Sequence, residues 1–242
     1  MTAPSLTIAT WNLQWKRPHT AACRTMADRL IELDPDILCL TEAYARTRLP
    51  PGHTIEAQPN YGYPLIEGRR KVVLWSRQSW EGVDRVGHTD LPTGRFVSGR
   101  TMTPLGRVTV VGVCIPWRDA HVSSGRRDRT PWQDHCAYLA GLATVFAAID
   151  GPVIVLGDFN QAIPRRTAPH VVYAALEQAL GERYTVATTG VLAPLGRPSI
   201  DHIAHTRDLV ATDVTAVSNR GDDGKLLSDH FGVVSTICAN AE

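Results

Sequence analysis

The sequence predicts an α/β (α+β) fold in which helices cover the outer faces of β-sheets. Helical stripes alternate with runs of strand-like segments in both halves of the chain, and this order is typical of layered structures. The chain has 242 residues, of which 43% are hydrophobic, which is enough for one substantial core. Its Gly/Pro-rich stretches are short and flanked by apolar segments, so we expect residues 1–242 to form a single domain.

The first part of the chain predicts a strand, a helix and a second strand. Residues 7–11 form a strand-like run that ends at Asn12, and residues 36–40 form another that leads into Glu42. We expect Asp34-Pro35 to end the intervening helix, because the residue before a proline disfavours the helical conformation. Apolar residues recur there at the i, i+3, i+4, i+7 and i+8 spacing of an amphipathic helix, namely Cys23, Met26, Ala27, Leu30 and Ile31.

More strands and two further helices follow. Residues 71–76, 83–89, 96–102 and 107–115 predict strands, antiparallel where the turns are short. Thr130 is the predicted N-cap of the second helix, with Pro131 at its first position. Its predicted buried stripe consists of Cys136, Leu139, Ala140, Ala143 and Ala147. Beyond it the chain predicts a strand at 153–156, a helix at 169–180 and three strands, the last at 231–237.

Polar side chains stand at the ends of several predicted strands. Each of them alone is explained as well by a turn or a helix cap, although an acid inside an apolar run, such as Asp201, has to be hydrogen-bonded or functional. Strands hold side chains rigidly, and ligands commonly bind where strand ends meet loops, so together they predict a functional site. Its members are Asn12, Glu42, Asp158, Asn160, Asp201, Asp229 and His230. Their oxygen donors suit Mg²⁺ or Mn²⁺, and they lack the Cys and His spacing of a zinc site.

Five short motifs give the chain a resemblance to a known superfamily over nearly its whole length. In order they are Thr10-Trp11-Asn12, Leu40-Thr41-Glu42, Gly157-Asp158-Phe159-Asn160, Ser199-Ile200-Asp201-His202 and Ser228-Asp229-His230-Phe231. The chain resembles the endonuclease/exonuclease/phosphatase (DNase I-like) superfamily of Mg²⁺-dependent phosphoesterases. The resemblance implies a four-layered sandwich, with two mixed β-sheets packed face to face and helices on the outside. It also implies a site at one edge of this sandwich, where strands of both sheets end.

Phosphate ester hydrolysis requires charge neutralisation at the phosphoryl oxygens and an aligned water or hydroxide. We expect Glu42 to hold the metal, with Asn12 and Asp229 nearby. Asp158 is expected to orient or deprotonate the attacking water, and Asn160 either to bind a phosphoryl oxygen or to hold Asp158. Asp201 and His230 form a predicted acid–histidine pair, in which His230 is either a phosphate-binding cation or a general base.

One position departs from the family pattern. Many members carry His or Tyr at the end of the strand that here reads 110–116, and Cys114 occupies that place. A buried thiol is a poor proton donor to a leaving alkoxide, so we expect Cys114 to be a packing residue. Leaving-group assistance is expected from metal-bound water or from Arg118 or His121, which are also candidates for phosphate contacts. For His121 an ordinary loop histidine is the preferred interpretation. Arg165 and Arg166, just after the Asp158 motif, are candidates for phosphate contacts.

Composition limits the partners only weakly. The formal net charge is +1, which gives no global field that would attract a polyanion. The cluster from Arg69 to Lys71 is expected to be a solvated face. The five cysteines show no paired spacing, residues 1–5 lack a secretory pattern, and no apolar run approaches a membrane span. The sequence therefore predicts a cytoplasmic protein with reduced thiols.

Three functions remain open at this stage. The first is a Mg²⁺-dependent phosphodiesterase, with a nuclease as the preferred form and nucleic acid as the substrate. The second is a phosphatase or phosphodiesterase for a small molecule or a lipid headgroup, which the near-neutral charge favours. The third is a catalytically silent binding module, supported by Cys114 alone. Three loops, at 50–70, 118–129 and 187–198, are expected to select the substrate.

Overall fold

Two six-stranded mixed sheets form the centre of the structure, a computed structural model that describes residues 3–240. Met1 and Thr2, which belong to the N-terminal segment considered above, lie outside the described residues. The first sheet contains β1 (Ser5–Asn12), β2 (Ile37–Tyr44), β3 (His53–Glu56), β4 (Arg69–Ser76), β13 (Leu209–Val217) and β14 (Gly232–Ala239). The second contains β5 (Trp80–Asp84), β6 (Phe96–Thr103), β7 (Gly106–Cys114), β8 (Val153–Asp158), β9 (Tyr184–Val186) and β12 (Asp201–Thr206).

Each sheet has one pair of parallel strands, and this pair lies at the centre of the sheet. The strand order is β13-β14-β1-β2-β4-β3 in the first sheet and β5-β6-β7-β8-β12-β9 in the second. β1 and β2 are parallel, as are β7 and β8, and the other neighbours are antiparallel. A separate two-stranded hairpin joins β10 (Val191–Leu192) to β11 (Arg197–Pro198).

Side chains alternate between the two faces of each sheet, so each sheet packs on the other sheet with one face and on helices with the other, which gives four layers. On β1, Leu6 and Ile8 point into the core between the sheets, whereas Ala9 and Trp11 pack on the outer side with Met26 of helix α1 (Ala21–Glu32). The outer face of the second sheet is covered by α2 (Gln133–Ala148) and α3 (His170–Leu180). The predicted sandwich with helices outside is confirmed. None of the helices among residues 3–240 combines the length and the apolar content needed to cross a bilayer.

The second helix differs from the prediction at its start and on its buried face. It begins at Gln133, because Trp132 adopts a left-handed conformation with φ 69° and donates its backbone N–H to the Arg118 carbonyl. Of the predicted stripe only Leu139 is buried, while Ala140 and Ala147 are exposed. The face that packs on the sheet carries larger side chains, whose burial removes more apolar surface from water; they are Tyr138, Leu139, Leu142, Val145 and Phe146.

Other elements also differ. The strand predicted at 83–89 is instead Trp80–Asp84, because the Asp84 carboxylate accepts the backbone N–H groups of Val86 and Gly87 and turns the chain. β3 lies inside the stretch predicted as a loop, where it pairs with β4. The C-terminal part contains six strands, β9 to β14, rather than three, because short pairings of two or three residues carry little sequence signal.

Two buried histidines predict how stability depends on pH. Burial lowers the pKa values of His135 and His202 to about 4, below the unfolded value near 6.5. Between pH 6.5 and 4 the unfolded chain therefore binds more protons, and the free energy of unfolding falls as pH falls. We expect His202→Asn to be less stable at pH 7 but to lose less stability on acidification. Urea unfolding of both proteins between pH 7 and 4 measures this, and equal slopes would contradict it.

Candidate active site

Strand alternation brings three polar side chains to one end of the core between the sheets. Asn12 ends β1 on the inner face that carries Leu6 and Ile8, and Asp158 ends β8 on the inner face that carries Leu156. Asp201 begins β12 directly opposite Asp158, because these two strands pair antiparallel. All three side chains are buried at the sandwich edge, where the family resemblance predicted the site.

A hydrogen-bond network holds the Asp158 carboxylate. One oxygen accepts the backbone N–H of Asn160 at 2.9 Å, and the other accepts the side-chain amides of Asn12 and Asn160, each at 3.0 Å. Gly157 permits this arrangement, because a Cβ there would lie 2.0 Å from the carbonyl oxygen of Val113. The bond from Asn12 joins the two sheets directly across the end of the core.

The hydrogen bond predicted between Asp201 and His230 is present. Nδ1 of His230 lies 2.6 Å from Oδ2 of Asp201, and Trp11 donates to the His230 carbonyl oxygen at 2.9 Å. Asp229 is more exposed, and its Oδ1 lies 3.9 Å from Nε2 of His230. Ser228 donates to the backbone carbonyl of Asn12 at 2.8 Å, which fixes the Asp229-His230 segment beside the end of β1.

Glu42 lies next to this group but has a partner that the sequence analysis missed. It follows Thr41, which pairs with Asn12 across β1 and β2, and its φ of 47° interrupts the strand alternation. Lys71 donates from Nζ to Glu42 Oε1 at 2.5 Å. Lys71 is buried, so the prediction of a solvated face from Arg69 to Lys71 is wrong at this residue. The signal in the sequence that indicates a buried Lys71 is its place directly before the apolar run of β4.

The pKa values of Asp158 and His230 are both raised in this cluster. Burial, together with repulsion from Asp201 and Glu42, raises the pKa of Asp158 to about 7, although His230 opposes this rise. Burial alone would lower the pKa of His230, but its charge attraction and hydrogen bond to Asp201 raise it to about 10. At neutral pH His230 is therefore a cation, and Asp158 can accept a proton.

The donor chemistry fits a divalent metal. Ligand atoms of Asp158, Asp201 and His230 lie within 4.8 Å of one another, yet a protonated His230 is not a ligand. The second oxygen of Asp201, Oδ1, is buried without a hydrogen-bond partner among residues 3–240. A cation beside this oxygen would supply the missing partner. The residues predicted from the sequence to hold it are Glu42, Asn12 and Asp229, whose oxygens suit Mg²⁺ or Mn²⁺.

The arginines and the histidine predicted to contact phosphate are placed differently from one another. Arg166 lines a pocket of about 460 Å³ that contains Asp201, Asp229 and His230. Arg165 instead donates to the Ala168 carbonyl, and Arg118 is exposed beside Asp119. His121 is buried and stacks on Tyr63 at 4.3 Å between ring centroids, with Arg126 and Asp134 as polar neighbours. The structure therefore brings only Arg166 of this set to the cluster.

A second pocket contains Glu42 in its lining. It encloses about 360 Å³ and contains Glu42, Lys71 and Arg95 together with aromatic side chains. Arg95 was missed by the sequence analysis, because a single arginine between Gly94 and a strand has no distinguishing pattern. Loops 50–70 and 118–129 contribute to this pocket, and loop 187–198 contributes Arg197 and Pro198 to the first one.

Cys114 lies in the core between the sheets, next to Asp158 across β7 and β8. Burial raises the pKa of its thiol to about 12, so the thiol stays protonated, as expected of a packing residue. We expect Cys114→Ala to retain most of the activity, whereas Asp158→Ala loses it. A folded Cys114→Ala protein, judged by circular dichroism, that is as inactive as Asp158→Ala would contradict this.

Solved structures with the same architecture show which fold this chain has. Two structures of D. rerio TDP2, one humanized by 14 mutations and one complexed with single strand DNA product, are 14% identical, with TM-scores of 0.71 and 0.69 over 98% of this chain and 99% of theirs. The endonuclease domain of TRAS1, a telomere-specific non-LTR retrotransposon, is 17% identical, with a TM-score of 0.65 over 98% and 100% of the chains. The 3′-5′ exonuclease NExo from Neisseria meningitidis is 17% identical, with a TM-score of 0.67 over 95% and 98%. The shared fold is the DNase I-like sandwich.

The sequence gives the family. Residues 9–230 match the model of the Endonuclease/Exonuclease/phosphatase family, and the chain belongs to this family. Its members are generally phosphoester hydrolases. No curated protein matches the chain in sequence.

Proposed function

We propose that the protein is a divalent-metal-dependent phosphodiesterase that acts on nucleic acid. One observation carries the proposal of a diester: residues of the candidate site line two different pockets. Asp201, Asp229 and His230 line the first, and Glu42 lines the second. We expect the two substituents of a phosphodiester bound at this site to enter one pocket each. The DNA product bound to TDP2, a protein of the same fold, supports nucleic acid as the substrate.

The residues of the chain are assigned roles by their geometry. Asp158 orients the attacking water and accepts its proton, since its carboxylate is held by Asn12 and Asn160 and its pKa lies near 7. His230, held as a cation by Asp201, stabilises negative charge on the phosphoryl oxygens. This favours the phosphate-binding cation over the general base left open by the sequence. A metal held by Glu42, Asn12 and Asp229 supplies further charge neutralisation when it is bound.

Arg166 is proposed as a phosphate contact in the first pocket. Ligand atoms of Asp158, Asp201 and His230 lie within 4.8 Å of one another. A cluster of this kind argues against a silent binding module. We also propose a cytoplasmic location, because all five cysteines have free thiols, the state that a reducing compartment maintains.

A panel of substrates tests the proposal. Activity with Mg²⁺ or Mn²⁺ is measured on single-stranded DNA, duplex DNA, RNA, bis-p-nitrophenyl phosphate and p-nitrophenyl phosphate, with Asp158→Ala as the control for a contaminating enzyme. We expect the diester to be hydrolysed faster than the monoester, and nucleic acid to be cleaved. Faster hydrolysis of the monoester would favour the small-molecule or headgroup phosphatase, for which the net charge of +1 is the supporting observation.

A further inference from the structure

The pocket beside Glu42 has an aromatic wall that the proposed chemistry does not use. Trp15 and Tyr61 stack with ring centroids 5.6 Å apart and planes 23° apart, and Tyr63 follows at 6.0 Å from Tyr61. Trp117 lines the same pocket with 44% of its surface exposed. Because these rings support one another, the wall is formed in advance of any ligand.

Cations of this pocket lie against its aromatic rings. The Arg69 guanidinium lies 4.7 Å from the Trp15 ring centroid, and Lys71 lies 5.1 Å from it while paired with Glu42. These contacts cover part of Trp15, so Trp117 is the exposed ring of this pocket, close to positive charge.

Arg95 is a buried cation of this pocket that lacks a carboxylate. It is 2% exposed, and no Asp or Glu among residues 3–240 lies within 4.0 Å of its guanidinium. Its polar contact is the carbonyl oxygen of Cys114 at 3.4 Å. Burying a charge without a counter-charge is costly, so this guanidinium, in the pocket wall, is expected to pair with an anion of the ligand.

Loop packing fixes Arg95 beside the aromatic wall. Gly94 has a φ of 68°, and a Cβ there would lie 2.2 Å from the carbonyl oxygen of Asn60. Thr93 also donates to this oxygen, at 2.9 Å. The segment that carries Tyr61 is therefore pressed against the segment that carries Arg95, and the arginine and the rings form one surface.

We propose that this pocket binds one unpaired nucleotide next to the scissile phosphate, with its base on the exposed ring of Trp117 and its phosphate at Arg95. The volume of about 360 Å³ is at the low end for small-ligand pockets, about 300–1,000 Å³, which fits a single nucleotide unit rather than a base pair. This inference rests on the proposed function and makes it more specific. The substrate class is nucleic acid that is single-stranded at the cleavage site.

Equilibrium binding with two ligands that differ only in the base tests the pocket. The affinity of the full chain for adenosine 5′-monophosphate and for ribose 5-phosphate is measured by calorimetry in EDTA. We expect the nucleotide to bind roughly tenfold more tightly, in line with stacking of one base. Trp117→Ala should abolish this difference while leaving ribose 5-phosphate affinity unchanged, and Arg95→Lys should weaken both ligands about equally.

Tyr173→Leu, on α3 outside this pocket, is the matched control and should keep the difference. Equal affinity of the unmodified protein for both ligands, or a Trp117→Ala variant that still prefers the nucleotide, would overturn the inference. Hydrolysis of bis-p-nitrophenyl phosphate distinguishes this failure from failure of the proposed function. If the diester is hydrolysed but the two ligands bind equally well, only the proposal of a nucleotide-binding pocket is wrong. If the nucleotide binds more tightly but no diester is hydrolysed, the proposed phosphodiesterase activity is wrong.

Discussion

His230→Ala is expected to lower kcat by a factor of roughly 10²–10⁴, the range typical of a group that acts in proton transfer or charge stabilisation. The reason is the loss of the cation that Asp201 holds at 2.6 Å in the buried cluster. Removing the imidazole also leaves the Asp201 carboxylate buried without its partner, which is unfavourable. Steady-state kinetics on bis-p-nitrophenyl phosphate measure the effect.

The control for this variant is His170→Ala, because His170 is exposed at the start of α3. It should leave kcat unchanged. Thermal unfolding separates a loss of chemistry from a loss of fold. A well-folded His230→Ala protein with kcat within threefold of the unmodified enzyme would show that His230 has no part in the reaction.

Glu42→Gln is expected to weaken Mg²⁺ or Mn²⁺ binding by roughly 100-fold or more. Loss of an outer-shell partner of a metal ligand already weakens binding by about 10–100-fold. The substitution removes the negative charge and also frees Lys71, whose ammonium group contacts Glu42 at 2.5 Å. Binding of Mn²⁺ measured by electron paramagnetic resonance gives the affinity without reference to activity. Chelation by EDTA should abolish turnover, and added Mg²⁺ should restore it.

Glu177→Gln, an exposed change of the same chemistry on α3, is the matched control. Unaltered Mn²⁺ affinity in Glu42→Gln would show that the metal binds elsewhere. Full activity in the presence of the chelator would show that no metal is needed.

The parts of the structure that were predictable from the sequence depend on local signals. The alternation of β1 and β8 delivers Asn12 and Asp158 to one end of the core, and short motifs in the correct order identified the fold. The pairing of Asp201 with His230 followed from the resemblance, and the hydrogen bond is present.

The parts that were missed depend on contacts between distant segments. Arg95 is buried because the segment of Asn60 packs on Gly94, and nothing in the neighbouring residues announces that packing. The start of α2 depends on the bond from Trp132 to Arg118. Lys71 was assigned to the surface because its neighbours Arg69 and Arg70 are charged, although its partner Glu42 lies 29 residues earlier in the chain.

The place of β14 has a consequence for the protein while it is still on the ribosome. β14 lies between β13 and β1 in the first sheet, with Thr10 opposite Val233. Until residues 232–239 have been synthesised, β1 presents an unpaired edge, and the Ser228 hydroxyl cannot fix the Asp229-His230 segment beside Asn12. The proposed site is therefore completed only after residues 228–239 have been synthesised.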